Sequence, residues 1–276
     1  MSMDIRNIEN SNFGIEIHSS YNEIIEHFDE VIELQDQYKL LIFKNIDLSA
    51  DQLVSIIKKV GDPVRHAKWK INGLKTHPEI YVLTNDKTKG QLSPEIWHID
   101  QSFLQNPPTH SFLYSLKVAK EGGTTVFSDQ SAVYRDLPLE LKKKITGKVC
   151  VHEHATDYHL AAVPSSEELK GIGGGEPVYH PLVMPHWTTG ENCLFSVFGH
   201  IRKILGMDQE KSDALMKELQ EYATNEKYVY EHHWAEKDFL MWDNISLLHS
   251  ARGTVDSLDP KHERLLWRLN ARHTLA

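Results

Sequence analysis

Between residues 21 and 37 the apolar side chains Ile24, Ile25, Phe28, Val31, Ile32 and Leu34 recur at the three-to-four-residue spacing of a helix. Ser20 and Glu23 stand where a capping box would start it. Ser49 caps a second helix, with Leu53, Ile56, Ile57 and Val60 on one face and Gly61 as its stop. A third runs over 208–224 with Leu215, Leu219 and Tyr222 inward, and Pro138 starts a short one over 138–145. Elsewhere the apolar runs are short, and they predict strands at 39–44, 80–84, 111–118, 125–129, 149–152, 178–184, 193–197, 228–234, 239–242 and 265–271. Thr188 to Asn192 supply a hairpin turn between two of them. Many strands and few helices give an α+β class, a jelly roll with helices packed outside, built as one domain over 1–276. The stretch 163–176, with Pro164, Ser165, Ser166 and Gly173 to Gly175, breaks the pattern. It is either a surface loop or a lid that orders over bound substrate.

Composition narrows the field. A chain of 276 residues, 40% hydrophobic and 25% charged, is long enough for a full core. The net charge of −9 and the lack of a basic stripe argue against nucleic acid as a partner. Two cysteines, Cys150 and Cys193, exclude a disulfide scaffold and make a reduced, cytoplasmic setting the expectation. No secretory signal and no apolar run of membrane-spanning length is seen, so no membrane partner is expected. Self-association into a homo-oligomer stays open.

The candidate chemistry centres on His98-Ile99-Asp100. In an extended strand, positions i and i+2 point to one face, so an imidazole and a carboxylate can grip adjacent positions of one metal ion. A second histidine from a distant strand would complete a set suited to non-haem Fe(II) oxygenases. The chain holds 17 histidines and a second His-x-Asp at His27-Phe28-Asp29, which serves as a control. On the predicted 21–37 helix those two side chains diverge and cannot chelate together. Around His98 no helical period runs, and Pro94, Trp97 and Phe103 flank it. By itself the tripeptide reads sooner as a strand-edge histidine bonded to a neighbouring aspartate than as a metal site.

Downstream segments decide between these readings. Trp97 to Phe103, Glu121-Gly122-Gly123-Thr124-Thr125-Val126-Phe127, His180-Pro181-Leu182-Val183 with Thr189-Gly190, Trp242-Asp243-Asn244 up to His249, and Arg264 with Arg268 occur in that order. Together they resemble the taurine dioxygenase and 2,4-dichlorophenoxyacetate dioxygenase family of Fe(II)/2-oxoglutarate oxygenases, over about residues 35 to 273. The resemblance implies a double-stranded β-helix core. It implies Fe(II) on His98, Asp100 and His249, with O2 and the cosubstrate 2-oxoglutarate. It implies Arg264 as the bidentate partner of the cosubstrate's distal carboxylate, with Thr125 adding a hydroxyl donor. The products would be an oxidised small molecule, succinate and CO2.

Substrate residues follow by the same resemblance. Arg268 matches the arginine that holds the taurine sulfonate, and it shares a strand face with Arg264. An inward arginine between Trp267 and Leu269 is costly without an anion, so an anionic substrate is expected. His66 and Trp69 match pocket positions, and His200 falls near a pocket aromatic. The segment before Trp97 lacks the asparagine that helps bind taurine, which argues for a different acid. Two other readings stand beside this one: a non-redox Zn(II) enzyme of cupin shape, and a catalytically silent binding protein on that scaffold. His152, His154 and His159 around Asp157, and the pair His232-His233, are taken as polar strand and loop residues rather than a second metal site.

Overall fold

The computed structural model describes residues 3–67, 69–85, 95–154, 165–253 and 260–273. A large sheet forms the floor. Its strands Leu40–Phe43, Phe239–Asp243, His110–Lys117, Leu265–Arg272 and His77–Thr84 lie side by side in that order, antiparallel throughout. Alternation along these strands divides the core in two. One face, with Leu41, Phe43, Phe112, Tyr114, Phe239, Met241 and Leu269, packs under the helices Phe28–Tyr38 and Ala50–Val60. The other face, with Leu40, Ile42, Tyr81, Leu113, Trp242 and Leu266, packs on Phe127 and Leu247. Those two belong to a second sheet, in which Thr124–Asp129 is flanked by Val229–His232 and Leu247–Arg252. The interior between the two sheets is where the candidate site lies.

The predicted elements are present with shifted bounds, and the departures have physical causes. The expected 21–37 helix is two helices, Tyr21–Glu26 and Phe28–Tyr38, broken at His27 (φ −108°, ψ 33°). The Ser20–Glu23 capping box holds the first of them, as expected. Gly61 ends Ala50–Val60 for want of space rather than for backbone freedom, since a Cβ there would sit 2.2 Å from the Arg272 carbonyl oxygen. The 178–184 strand is interrupted at Leu182 into Val178–Pro181 and Val183–Pro185. The second piece forms the expected hairpin with Asn192–Leu194. A helix at Gln130–Asp136 was not predicted. Asp129 caps it through Ser131 and Ala132, but Gln130 to Val133 are all buried, so no amphipathic stripe announces it. In the irregular segment, residues 163 and 164 lie outside the described residues. The remainder carries a capped helix, Ser166–Lys170, whose Leu169 is buried against Phe103, Leu104 and Ala67.

Candidate active site

His98 forms an isolated bridge with His249, and Asp100 follows it in a turn. The His98 amide donates to the His249 carbonyl at 2.9 Å, and the His249 amide returns a bond to the His98 carbonyl at 3.0 Å. That single antiparallel pair joins the His98 segment to the second sheet. Asp100 then opens a turn that continues through Gln101, a non-glycine residue at φ 51°. Asp100 Oδ1 ends 3.4 Å from His98 Nε2 and 3.4 Å from His249 Nε2. The three candidate ligand atoms lie within 4.8 Å of one another.

The protonation states sharpen the picture. His98 Nδ1 lies 2.7 Å from the Ile96 carbonyl, which can only accept, so Nδ1 carries a hydrogen and Nε2 is the nitrogen turned toward Asp100. Burial and the neighbouring His98 pull His249 down to about 4, so it is neutral near pH 7. Burial pushes the Asp100 carboxyl upward, but the Arg268 guanidinium and His249 outweigh it, and the group stays ionised. A carboxylate oxygen and two imidazole nitrogens therefore converge on one point. Two imidazoles and one carboxylate are a donor set that fits a divalent transition metal with coordination positions left open.

Asp100 is held from several sides. Ser111 Oγ donates to Oδ2 at 2.6 Å and Asn270 Nδ2 at 2.9 Å. Arg268 Nη2 donates to Oδ1 at 2.5 Å. This corrects the sequence argument about Arg268. Its inward position needs no outside anion, because Asp100 is its counter-charge.

Arg264 and Thr125 lie further along the same interior. Arg264 is buried, its Nη1 donating to the Gly123 carbonyl at 3.3 Å and its amide to Asn85 Oδ1 at 2.9 Å. Burial lowers its guanidinium to about 10. Its neighbour Glu263 pairs with Lys117. A cavity of about 400 Å³ opens beside Arg264, lined also by Gly123, Thr124, Trp234, Arg252 and Leu266. Thr125 points with Phe127 toward His249, Phe127 lying 6.2 Å from the His249 ring. Its hydroxyl accepts from Trp234 Nε1 at 3.0 Å, which leaves its own hydrogen free to donate elsewhere.

The remaining predicted residues are gathered unevenly. His66 packs on Tyr81 with ring centroids 3.9 Å apart, and Tyr81 stands opposite Arg268 in the strand register. His200 meets Phe103 edge-on at 4.6 Å, and Gly199 lies against His98 so closely that a Cβ would come within 3.1 Å. Burial, with His154 and His98 nearby, holds His200 well below its ordinary pKa. Trp69 is placed apart from this group. It lies under the Arg65 guanidinium at 4.7 Å, in a surface groove shared with Glu168, Ile172 and Arg272. His152 is a buried strand residue within 3.3 Å of Ser102 Oγ, with its pKa lowered to about 3 by burial and His180. Asp157 and His159 lie outside the described residues. His232 is 3.2 Å from Asp238 and His233 is exposed, so the two face opposite ways.

Sequence reasoning missed the supports of the site: Ser111, Asn270, Tyr81 and Asn244. Their partners are brought to them by the fold, and no local spacing marks them.

Comparison with known proteins agrees with this geometry. The model of the family described as "Taurine catabolism dioxygenase TauD, TfdA family" matches residues 4–270. The alpha-ketoglutarate-dependent 2,4-dichlorophenoxyacetate dioxygenase of Cupriavidus pinatubonensis is 29% identical over 238 residues, covering 81% of this chain and 82% of that protein. An alkylsulfatase of Acinetobacter baylyi is 28% identical, over 78% of this chain and 68% of that protein. Among solved structures, AAD-2 in complex with Mn(II) and N-oxalylglycine superposes with a TM-score of 0.80 at 25% identity, covering 100% of this chain and 99% of that one. Among the described residues no helix is long and apolar enough to cross a membrane.

Proposed function

Because the chain belongs to the TauD, TfdA family, whose members include named alpha-ketoglutarate-dependent dioxygenases, we propose that it uses Fe(II), O2 and 2-oxoglutarate to oxidise a small anionic molecule. The observation that carries this reading is the convergence of Asp100 Oδ1 with His98 and His249 Nε2 at 3.4 Å each. Bound there with its cosubstrate, iron supplies the oxidising power for C–H oxidation, with succinate and CO2 as by-products.

The chain's own groups bind and orient. His98, Asp100 and His249 hold the metal. Arg264 binds the distal carboxylate of 2-oxoglutarate, a charge that offsets the burial of its guanidinium. Thr125 contributes its hydroxyl hydrogen to the same carboxylate. The two facing sheets form the double-stranded β-helix that holds these groups on one interior, and the lid role falls to residues 165–176, whose Leu169 packs with Phe103. Arg268 has five N–H donors and gives one to Asp100, so others remain for a substrate anion next to His66. The relatives named for 2,4-dichlorophenoxyacetate and for alkyl sulfates point to acids of that size.

The test is succinate release with Fe(II), 2-oxoglutarate and ascorbate, over a panel of aryloxy acids, alkyl sulfates, sulfonates and amino acids. Coupled turnover with an anionic compound is the expected result. A preferred substrate that is neutral or cationic would overturn the anionic reading. Absence of any 2-oxoglutarate consumption would overturn the oxygenase reading.

A further inference from the structure

Asn244 belongs to a segment whose histidine does the visible work, yet two of its own side-chain hydrogen bonds go to Asp100. Its Oδ1 accepts the Asp100 amide hydrogen at 2.9 Å. Its Nδ2 donates to the Asp100 carbonyl at 3.1 Å and to the Pro108 carbonyl at 2.8 Å. One side chain thus grips both main-chain polar groups of Asp100 from 144 positions away. Asn244 is fully buried, so water cannot stand in for these bonds.

Asn244 is itself immobilised. The preceding Asp243 accepts the amides of Ile245 at 2.9 Å and Ser246 at 2.6 Å, closing a tight turn around it. His186 Nε2 bonds the other Asp243 oxygen at 2.6 Å. His186 Nδ1 accepts from the Thr189 amide at 3.2 Å, which fixes the ring with Nε2–H toward Asp243. The Asn244 amide donates to the Thr109 carbonyl. The turn at 243–246 is therefore a rigid mount, and Asn244 is its contact with the candidate metal ligand.

We infer that Asn244 is a positioning residue for metal binding: it fixes the Asp100 main chain so that Oδ1, and not Oδ2, faces the two imidazoles. The inference rests on the proposed metal site. Ser111 and Asn270 occupy Oδ2, but they can select the right oxygen only if the Asp100 backbone is already held. Asp100 opens a turn bordered by positive-φ Gln101, a segment with no ladder of its own beyond the His98 bridge. Without Asn244 the carboxylate would keep its charge and lose its aim. Supports of this kind typically change metal affinity by about 10–100-fold.

Co(II) titration of the metal-free protein, followed by visible absorption, tests this apart from turnover. Asn244→Ala should weaken Co(II) binding by about 10–100-fold and alter the ligand-field bands, with the metal-free protein still folded by circular dichroism. Asn270→Ala, which leaves the Asp100 backbone clamped but frees Oδ2, should shift the bands with a smaller loss of affinity. If Asn244→Ala does not fold, Asn244→Asp serves: it keeps the acceptor for the Asp100 amide but loses both donors, and should weaken Co(II) to a similar degree. Wild-type affinity and spectrum in a folded Asn244 variant would overturn the inference. Asp100→Ala is the control on its premise: if Co(II) binding survives that change at full strength, the metal site itself is misassigned. Intact loss in Asp100→Ala with no effect of Asn244 substitution refutes the positioning role alone.

Discussion

Asp100 and Asp243 are both buried carboxylates, both held ionised against burial by cationic or donor partners. Burial and a lowered pKa do not tell them apart. Their partners do. Every group around Asp243 is a donor directed at it: the His186 ring and the amides of Ile245 and Ser246. Its charge is used up by the fold. Asp100 has donors on Oδ2 and the Arg268 guanidinium on Oδ1, but Oδ1 also lies 3.4 Å from Nε2 of His98 and 3.4 Å from Nε2 of His249. A carboxylate oxygen that converges with two imidazole nitrogens is placed to share a cation with them, and a carboxylate ringed by donors is a structural anchor. The second criterion of a functional site is thus the sense of its hydrogen bonds, after the perturbed pKa.

The sharpest way to break this contrast is Asp100→Ala. Succinate release should fall by about 1,000-fold or more, on the scale of removing a catalytic group, while the protein folds. Near-normal turnover in that variant would place Asp100 with Asp243 as a structural residue. Arg264→Ala asks whether the far end of the same interior is also a ligand site. Loss of its fork should cost roughly 2–4 kcal/mol of 2-oxoglutarate binding, read as a rise in the 2-oxoglutarate KM with little change in metal affinity. Arg264→Lys should recover only part of it.

Asp243 should show itself in stability. Burial raises its pKa, but the His186 hydrogen bond and charge outweigh this and bring it to about 2, against an ordinary 3.8. A lowered folded-state value adds stability that is present above pH 3.8 and is lost as pH falls toward 2. The contribution is about 2 kcal/mol at neutral pH. Urea unfolding at pH 6 and pH 3 should show wild type losing about half of this increment and Asp243→Asn lacking it at both. An identical pH slope in the two proteins would remove Asp243 from the account. The smallest expected effect is that of Arg268→Met, which should raise the KM for the acid substrate by about 10-fold, one lost charge-assisted bond, and leave the 2-oxoglutarate KM nearly unchanged. An equal rise in both would assign Arg268 to the cosubstrate or to Asp100 alone.

How much of this was legible in the chain depends on the reach of each interaction. The helices capped by Ser20 and Ser49, and the strand that carries Arg264 and Arg268 on one face, follow from spacing within a few residues. The two-residue gap from His98 to Asp100 does too, although the strand behind it is a single bridge. His249 was placed by the order of motifs, not by its local pattern. Asn244, Asn270 and His186 were not found, because each meets its partner tens to hundreds of positions away, and Ser111 because no repeat spacing spans the 11 positions to Asp100. Asp243 did carry a local signal: an aspartate two and three residues before the amides it caps is a turn former. The partner of Arg268 was misjudged for the same reason of reach. Asp100 lies 168 positions away, and no sequence pattern says which buried charge will meet which.

The mutual pair of amide bonds between His98 and His249 has a consequence for how the molecule is made. It closes a loop of about 150 residues, and the Asn244 grip on Asp100 closes one nearly as long. Contacts so distant along the chain form late, after the more local hairpins and helices are in place. The site would therefore be assembled near the end of folding, and an ion captured there would act as a clasp across the whole interior. Metal would stabilise the native chain by mass action, and starving the protein of it would lower the temperature at which the chain unfolds.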